Sequence, residues 1–239
     1  MMRLGIMQPY FFPYIGYFQL INYVDQWVVF DDAQYIRHGW VNRNRILHPL
    51  KEWQYIIVPL SKHKHTDPIK DISLNPNVNW KQKILGQLTV YRKATQYNAI
   101  IKLIKEIFEI DVTSLSLLNV LIMERICQYL EIPFSYIISS QTNLNYTDIS
   151  DSGDWALEIS KQLGATEYVN PMQGEFLFDK NKFDRNDIKL SFLKPKFELL
   201  QYDQGINNRE HEPSLSILDV LMFNDREIVR QMLKYCEVI

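Results

Sequence analysis

The fold turns on the opening stretch Arg3-Leu4-Gly5-Ile6-Met7-Gln8-Pro9-Tyr10-Phe11-Phe12-Pro13-Tyr14-Ile15-Gly16-Tyr17-Phe18. Arg3–Met7 reads as a short buried strand, stopped by Gln8-Pro9, because proline fixes φ and removes a ladder donor. Residues 15–24 are apolar at mixed spacing and read as the first helix. Trp27–Phe30 is a continuous apolar run that suits a second buried strand, and it ends at Asp31-Asp32. Strand, loop, helix, strand is the opening of an α/β chain.

Working outward, 53–60 reads as a strand rich in Ile, Val and Tyr. From Trp80 to about Glu109 the apolar residues recur every three or four positions, the period of a helix with one buried face. Ser114–Leu130 continues in that pattern. Phe134–Ile138 returns to strand, Asp154–Leu163 to a helix ended by Gly164, and 167–169 and 188–192 are strand-like. Leu215–Tyr235 holds a C-terminal helix, with Asn224 or Asp225 starting its last part. The expected architecture is one α/β domain over 1–239, a mostly parallel sheet flanked by helices of the HUP or Rossmann-like kind. A helical insertion spans 80–131.

Composition narrows the function. The chain has 239 residues, 26 Lys plus Arg and 28 Asp plus Glu, for a net charge of −2. A bulk polycation that wraps duplex DNA is disfavoured. Cys127 and Cys236 lie in apolar surroundings without a CxxC or a zinc-like spacing, which suits two reduced thiols. No run approaches the ~18 apolar residues of a membrane helix. The start lacks the order of a secretory signal, so a cytoplasmic protein without membrane insertion is expected. No GxSxG, HExxH, Walker loop or GxGxxG is present, which argues against the enzymes that depend on them.

Aromatic residues are abundant: 5 Trp, 14 Tyr and 12 Phe. Eleven fall in the first 40 positions. Phe11, Phe12, Phe18 and Trp27 read as packing. Tyr10, Tyr14, Tyr17, Tyr35 and Trp40 neighbour polar and cationic groups and read as ligand-lining. The loop from Gln8 to Gly16 follows a strand, where open α/β sheets bind ligands. Gln8 and Tyr10 carry polar groups that need partners. Gly16 permits close approach, and the helix start after it suits an anion.

Asp31-Asp32 at a strand end could supply a base, a sugar contact or a Mg²⁺ ligand, and only one of the two is expected to face a site. Between Arg37 and Lys70 lie seven Lys or Arg against Glu52 and Asp67, and four of the five histidines. Such clustered Arg, Asn and His match phosphate oxygens. His63-Lys64-His65 lacks the partners of a zinc site, so no metal centre is expected. Ser139-Ser140-Gln141 and Asn170-Pro171-Met172-Gln173-Gly174 are polar loops after strands.

The run Met7–Phe18, with Asp31-Asp32-Ala33-Gln34-Tyr35 and Trp40-Val41-Asn42-Arg43-Asn44-Arg45-Ile46, resembles the WbqC-like protein family. Tyr168-Val169-Asn170-Pro171 and the Gly174 region fit as well. The resemblance implies a bacterial protein of O-antigen and surface-polysaccharide biosynthesis that transfers glycine, or a similar amino acid, to an amino sugar. A second resemblance is to nucleotidylyltransferases, whose HxGH motif grips ATP phosphates. Here Tyr14 or Ile15 stands near the first histidine and Tyr17 near the second.

The expected reaction is amide formation between an amino acid and a nucleotide-linked amino sugar. Asp32 or His38 is the expected base. Arg43, Arg45 and Lys62 are expected to hold phosphates. Gln8, Tyr10, Gln34, Asn42, Asn44 and Asn170 are expected to orient sugar or carboxylate. Tyr14, Gly16, Tyr17, Tyr35 and Trp40 are expected to complete the binding surface. ATP with Mg²⁺ could activate the amino acid, and an aminoacyl-tRNA could instead deliver it. The alternatives are a non-catalytic nucleotide-sugar or carbohydrate binding module and an ATP-dependent adenylyl-transfer enzyme. RNA contact through the basic 37–70 segment would accompany a tRNA donor.

Overall fold

The computed structural model describes residues 1–147, 149–205 and 210–239. Its centre is a six-stranded sheet in the order β5-β2-β1-β6-β7-β8. These strands are β1 (Arg3–Met7), β2 (Gln26–Val29), β5 (Tyr136–Ile138), β6 (Glu167–Pro171), β7 (Lys189–Pro195) and β8 (Cys236–Val238). All neighbours run parallel except β8, which pairs antiparallel with β7. The chain is thus α/β with helices on both faces of a mostly parallel sheet, as expected.

Strand alternation divides the core. Leu4, Ile6, Val28, Tyr168 and Leu190 face one apolar cluster, which contains Leu157 and Ile159 of α5 (Asp154–Gln162) and Phe183 of α6 (Lys180–Asp184). Trp27, Val29, Val169 and Leu193 face the larger cluster. That side carries α1 (Ile15–Tyr23), α3 (Tyr97–Glu109), α4 (Leu115–Leu130), α7 (Ile217–Phe223) and α8 (Arg226–Met232). Gly5 pairs with Trp27, and a Cβ on Gly5 would lie 3.1 Å from the indole, so the glycine makes room for the ring.

Several helix boundaries follow from side-chain caps. Ser114 accepts from the Leu117 N–H at the start of α4, and Asp225 accepts from the Ile228 N–H at the start of α8. Helix α2 (Trp80–Gln87) is capped by Asn79. Gly164 takes φ +69° just beyond α5, the turn that favours glycine.

Two features depart from the sequence reading. The 53–60 run does not join the main sheet. Its ordered part, β4 (Trp53–Ile57), pairs antiparallel with β3 (Arg43–Leu47) in a separate hairpin. The reading missed β3 because its arginines and asparagine masked the alternation: Ile46 and Asn44 face inward, Arg43 and Arg45 outward. Edge strand β8, which begins at Cys236, was also not read, because three residues give no period to detect.

Candidate functional site

Strand order places the site. β1 is followed in sequence by β2 on one side, while β6 lies on its other side. Connections therefore leave β1 and β6 in opposite directions, and a crevice opens beyond their carboxyl ends. A cavity of about 520 Å³ occupies that place. Met7 and Gln8 close one side and Asn170, Pro171 and Gly174 the other. The walls are aromatic: Tyr10, Tyr14, Phe30, Trp40, Trp155, Tyr168, Phe176 and Phe178.

The loop from Pro9 to Pro13 is clamped from three directions. Asn119 of α4 donates to the carbonyls of Pro9 and Val41 at 2.8 and 2.7 Å. Asn44 of β3 donates to the Phe11 and Phe12 carbonyls at 3.0 and 2.8 Å, and Ser216 Oγ donates to Phe12 at 2.8 Å. Phe12 needs those clamps. It sits at φ +42°, a conformation that costs a non-glycine residue roughly 1–2 kcal/mol. Burial of its ring and the two donors to its carbonyl hold it there.

The cavity brings together seven of the expected residues: Gln8, Tyr10, Tyr14, Trp40, Asn44, Arg45 and Asn170. Their polar groups are not equally available. Asn44 is committed to the loop, and its Oδ1 accepts the Arg45 N–H at 2.8 Å. Asn170 accepts from Tyr168 at 2.9 Å and donates to the Pro171 carbonyl. Among the described residues, no hydrogen bond engages the Gln8 amide or the Tyr10 and Tyr14 hydroxyls. Burial raises the pKa of both phenols, and Tyr14, beside Tyr10, is pushed up to about 12. They remain neutral donors at physiological pH.

The remaining expected residues lie elsewhere. Tyr17 is buried and donates to the Gln8 carbonyl, so it shapes the loop from beneath. Gly16 is covered by the Tyr14 ring, which would lie 2.4 Å from a Cβ there. The Tyr14 ring thus packs over the start of α1. Tyr35 is buried and bonds Asn42, which in turn bonds the Val58 carbonyl. Gln34 is exposed and bonds His65. Arg43 donates to the Gly39 and His38 carbonyls and stacks 4.1 Å over Tyr55. His38 and Lys62 are exposed and do not line the cavity.

Asp32 also lies outside the lining. It bonds Lys70 at 2.8 Å and Tyr146 at 3.0 Å. Burial opposes its ionisation, and hydrogen bonds from Lys70, Ser139 and Tyr146 outweigh it, so its pKa falls below the ordinary value. Asp31 is buried and receives Ser116, Ser139 and Ser140. Among the described residues no three His, Cys, Asp or Glu side chains gather as a metal site would require.

The sequence reading missed Trp155, Phe176 and Phe178 of the walls. Trp155 lies inside an ordinary amphipathic helix, where periodicity marks a face without saying what opposes it. Phe176 is 83% exposed at the end of the Asn170–Gly174 loop, whose polar run was the only signal.

The model of the WbqC-like protein family matches residues 8–231, from the cavity loop to α8. The chain belongs to that family. The match therefore includes the Gln8–Tyr14 loop that follows β1 and the end of β6, both of which line the cavity. The chain is also similar to a protein of Mycobacterium tuberculosis, the uncharacterized protein Rv1507c. The two are 29% identical over 252 aligned positions that cover 99% of each. No solved structure gives a significant match. No helix among the described residues is long and apolar enough to cross a membrane.

Proposed function

We propose that this WbqC-like chain is a transferase that joins an amino acid, glycine by family resemblance, to the amine of a nucleotide-linked sugar in surface-polysaccharide assembly. The cavity would hold the acceptor sugar. The observation that carries this reading is the cavity's make-up at the β1/β6 crevice. Aromatic rings suit the faces of a sugar, and Gln8, Tyr10 and Tyr14 keep free groups for its hydroxyls.

In such a reaction the sugar amine attacks an activated carboxyl carbon. A C–N bond forms, the bond from that carbon to its leaving oxygen breaks, and the nitrogen loses a proton. The neutral phenols of Tyr10 and Tyr14 could donate to the oxyanion that develops on the carbonyl. Among the described residues the lining contains no Asp, Glu, His or Lys. The amine must then react as its free base, and the rate would rise with pH through the amine's own pKa.

That same absence favours a second reading, a non-catalytic sugar-binding module. One experiment separates the two. The protein is mixed with a nucleotide-linked amino sugar and either glycine with ATP or glycyl-tRNA, and the sugar is examined by mass spectrometry. A gain of one glycyl unit is expected. Calorimetric binding without a mass change under both donor conditions would establish the module instead.

A further inference from the structure

Arg45 is the one charged side chain among the described residues of the cavity lining. Its guanidinium lies over two indole rings, 5.7 Å from the Trp40 centroid and 5.2 Å from that of Trp53. This packing fixes the plane of the fork. Its donors are nevertheless poorly used. Nε is buried and has no hydrogen-bond partner among the described residues. NH2 reaches the Ser214 carbonyl only at 3.4 Å, and NH1 lies 3.8 Å from Glu212 Oε1, too far for a hydrogen bond. A half-buried guanidinium normally satisfies its donors, because a buried donor without an acceptor loses its hydration and gains nothing in return. The guanidinium is therefore held in place by ring packing with its donors under-used among the described residues.

The position of Arg45 says which anion. Tyr168 and Asn170 at the far wall are buried, whereas Trp40 and Ser214 beside Arg45 are exposed. Arg45 thus stands where the cavity meets solvent. A group bound there connects a sugar inside to whatever continues outside. One cation, already half-compensated by Glu212, matches one phosphoryl group and leaves a second without a partner in the lining.

We infer that the cavity selects a glycosyl phosphate: the sugar lies between the β1 and β6 ends, and the terminal nitrogens of the Arg45 guanidinium grip the one phosphoryl group attached to it. The carrier beyond that phosphate, nucleotide or lipid, remains outside the cavity and contributes little to affinity. This rests on the reading of the cavity as the sugar site.

Titration calorimetry with the full chain tests it. The probes are glucosamine, glucosamine 1-phosphate, glucuronate and a uridine-diphosphate-linked amino sugar. The 1-phosphate is expected to bind about 10- to 100-fold more tightly than the neutral sugar. The nucleotide-linked form is expected within about tenfold of the 1-phosphate, and glucuronate below it. Arg45→Met should abolish the preference for the phosphorylated sugar. Glu212→Gln, which leaves the arginine in place, should strengthen phosphate binding about threefold. Equal binding of the neutral and phosphorylated sugars would overturn the inference. So would an unaltered preference in Arg45→Met, a nucleotide gain above a hundredfold, or tighter binding of glucuronate. Gln173→Trp, at an exposed lining position, is the control for the site itself. If it blocks glucosamine while no phosphate preference exists, the sugar site stands and only this inference fails. If no probe binds, both fail.

Discussion

The carboxyl ends of β1 and β6 and those of β2 and β5 carry similar chemistry in sequence, yet the molecule uses them differently. Both pairs end in polar loops, and both have tyrosines, amides or carboxylates within a few residues. At β2 and β5 the two carboxylates are fully engaged. Asp31 receives Ser116 from α4 at 2.9 Å and both Ser139 and Ser140 beyond β5, while Asp32 binds Lys70 and Tyr146. That end is stitched shut. At β1 and β6 the glutamine amide and two phenols have no hydrogen-bond partner among the described residues and lie around a cavity that the Arg45 guanidinium also lines. Residue type does not separate a site from a seam. The count of donors and acceptors left without an internal partner does.

Four substitutions would break or sharpen this contrast. The largest effect is expected at the seam. Asp31→Ala strands three serine hydroxyls and should lower unfolding free energy in urea by about 3 kcal/mol or more, with sugar affinity of the folded protein unchanged. A loss below ~1 kcal/mol would show that the carboxylate holds nothing together.

At the cavity the opposite pattern is expected. Gln8→Ala should change stability by less than ~1 kcal/mol and weaken sugar binding about tenfold by calorimetry. Weakened stability with intact binding would put Gln8 in the fold alone.

Gly174→Ala tests the far wall. The new Cβ would lie 2.3 Å from Asn170 Nδ2, so the amide must shift. A loss of about 1 kcal/mol in stability and a few-fold loss in affinity are expected, and crystallography would show whether Asn170 has moved.

The smallest effect concerns pH. The Asp32 pKa is depressed in the folded state, so its stabilisation is present above the usual carboxylate pKa and is lost as pH falls through the folded value. Lys70 is largely exposed, which limits the contribution to under ~1 kcal/mol. Asp32→Asn should flatten the stability curve on the acid side, below about pH 4. It should leave the pH profile of glycyl transfer unchanged. Loss of the acid limb from that profile would identify Asp32 as the base.

The sheet was legible because its strands are short apolar runs between turn residues, and because caps such as Ser114 and Asp225 bind backbone in place. The hairpin was not. Its arginines lie over aromatic rings, Arg43 on Tyr55 and Arg45 on Trp40 and Trp53, and sequence displays them as a basic loop. Of the cavity lining, sequence singled out the Gln8–Tyr14 loop and Asn170. It could not distinguish Tyr14, open to the cavity, from Tyr17, three residues later and buried beneath it. Nor could it show that Asn42 and Asn44 serve backbone carbonyls. Those distinctions arise only when the partner groups arrive from distant segments.

The most direct test of the cavity as the substrate site is a crystal structure soaked with glucosamine 1-phosphate. Density is expected between the Gln8–Tyr14 loop and Asn170, with the phosphate against Arg45. Density at the Asp32–Lys70 seam, with the cavity empty, would contradict it.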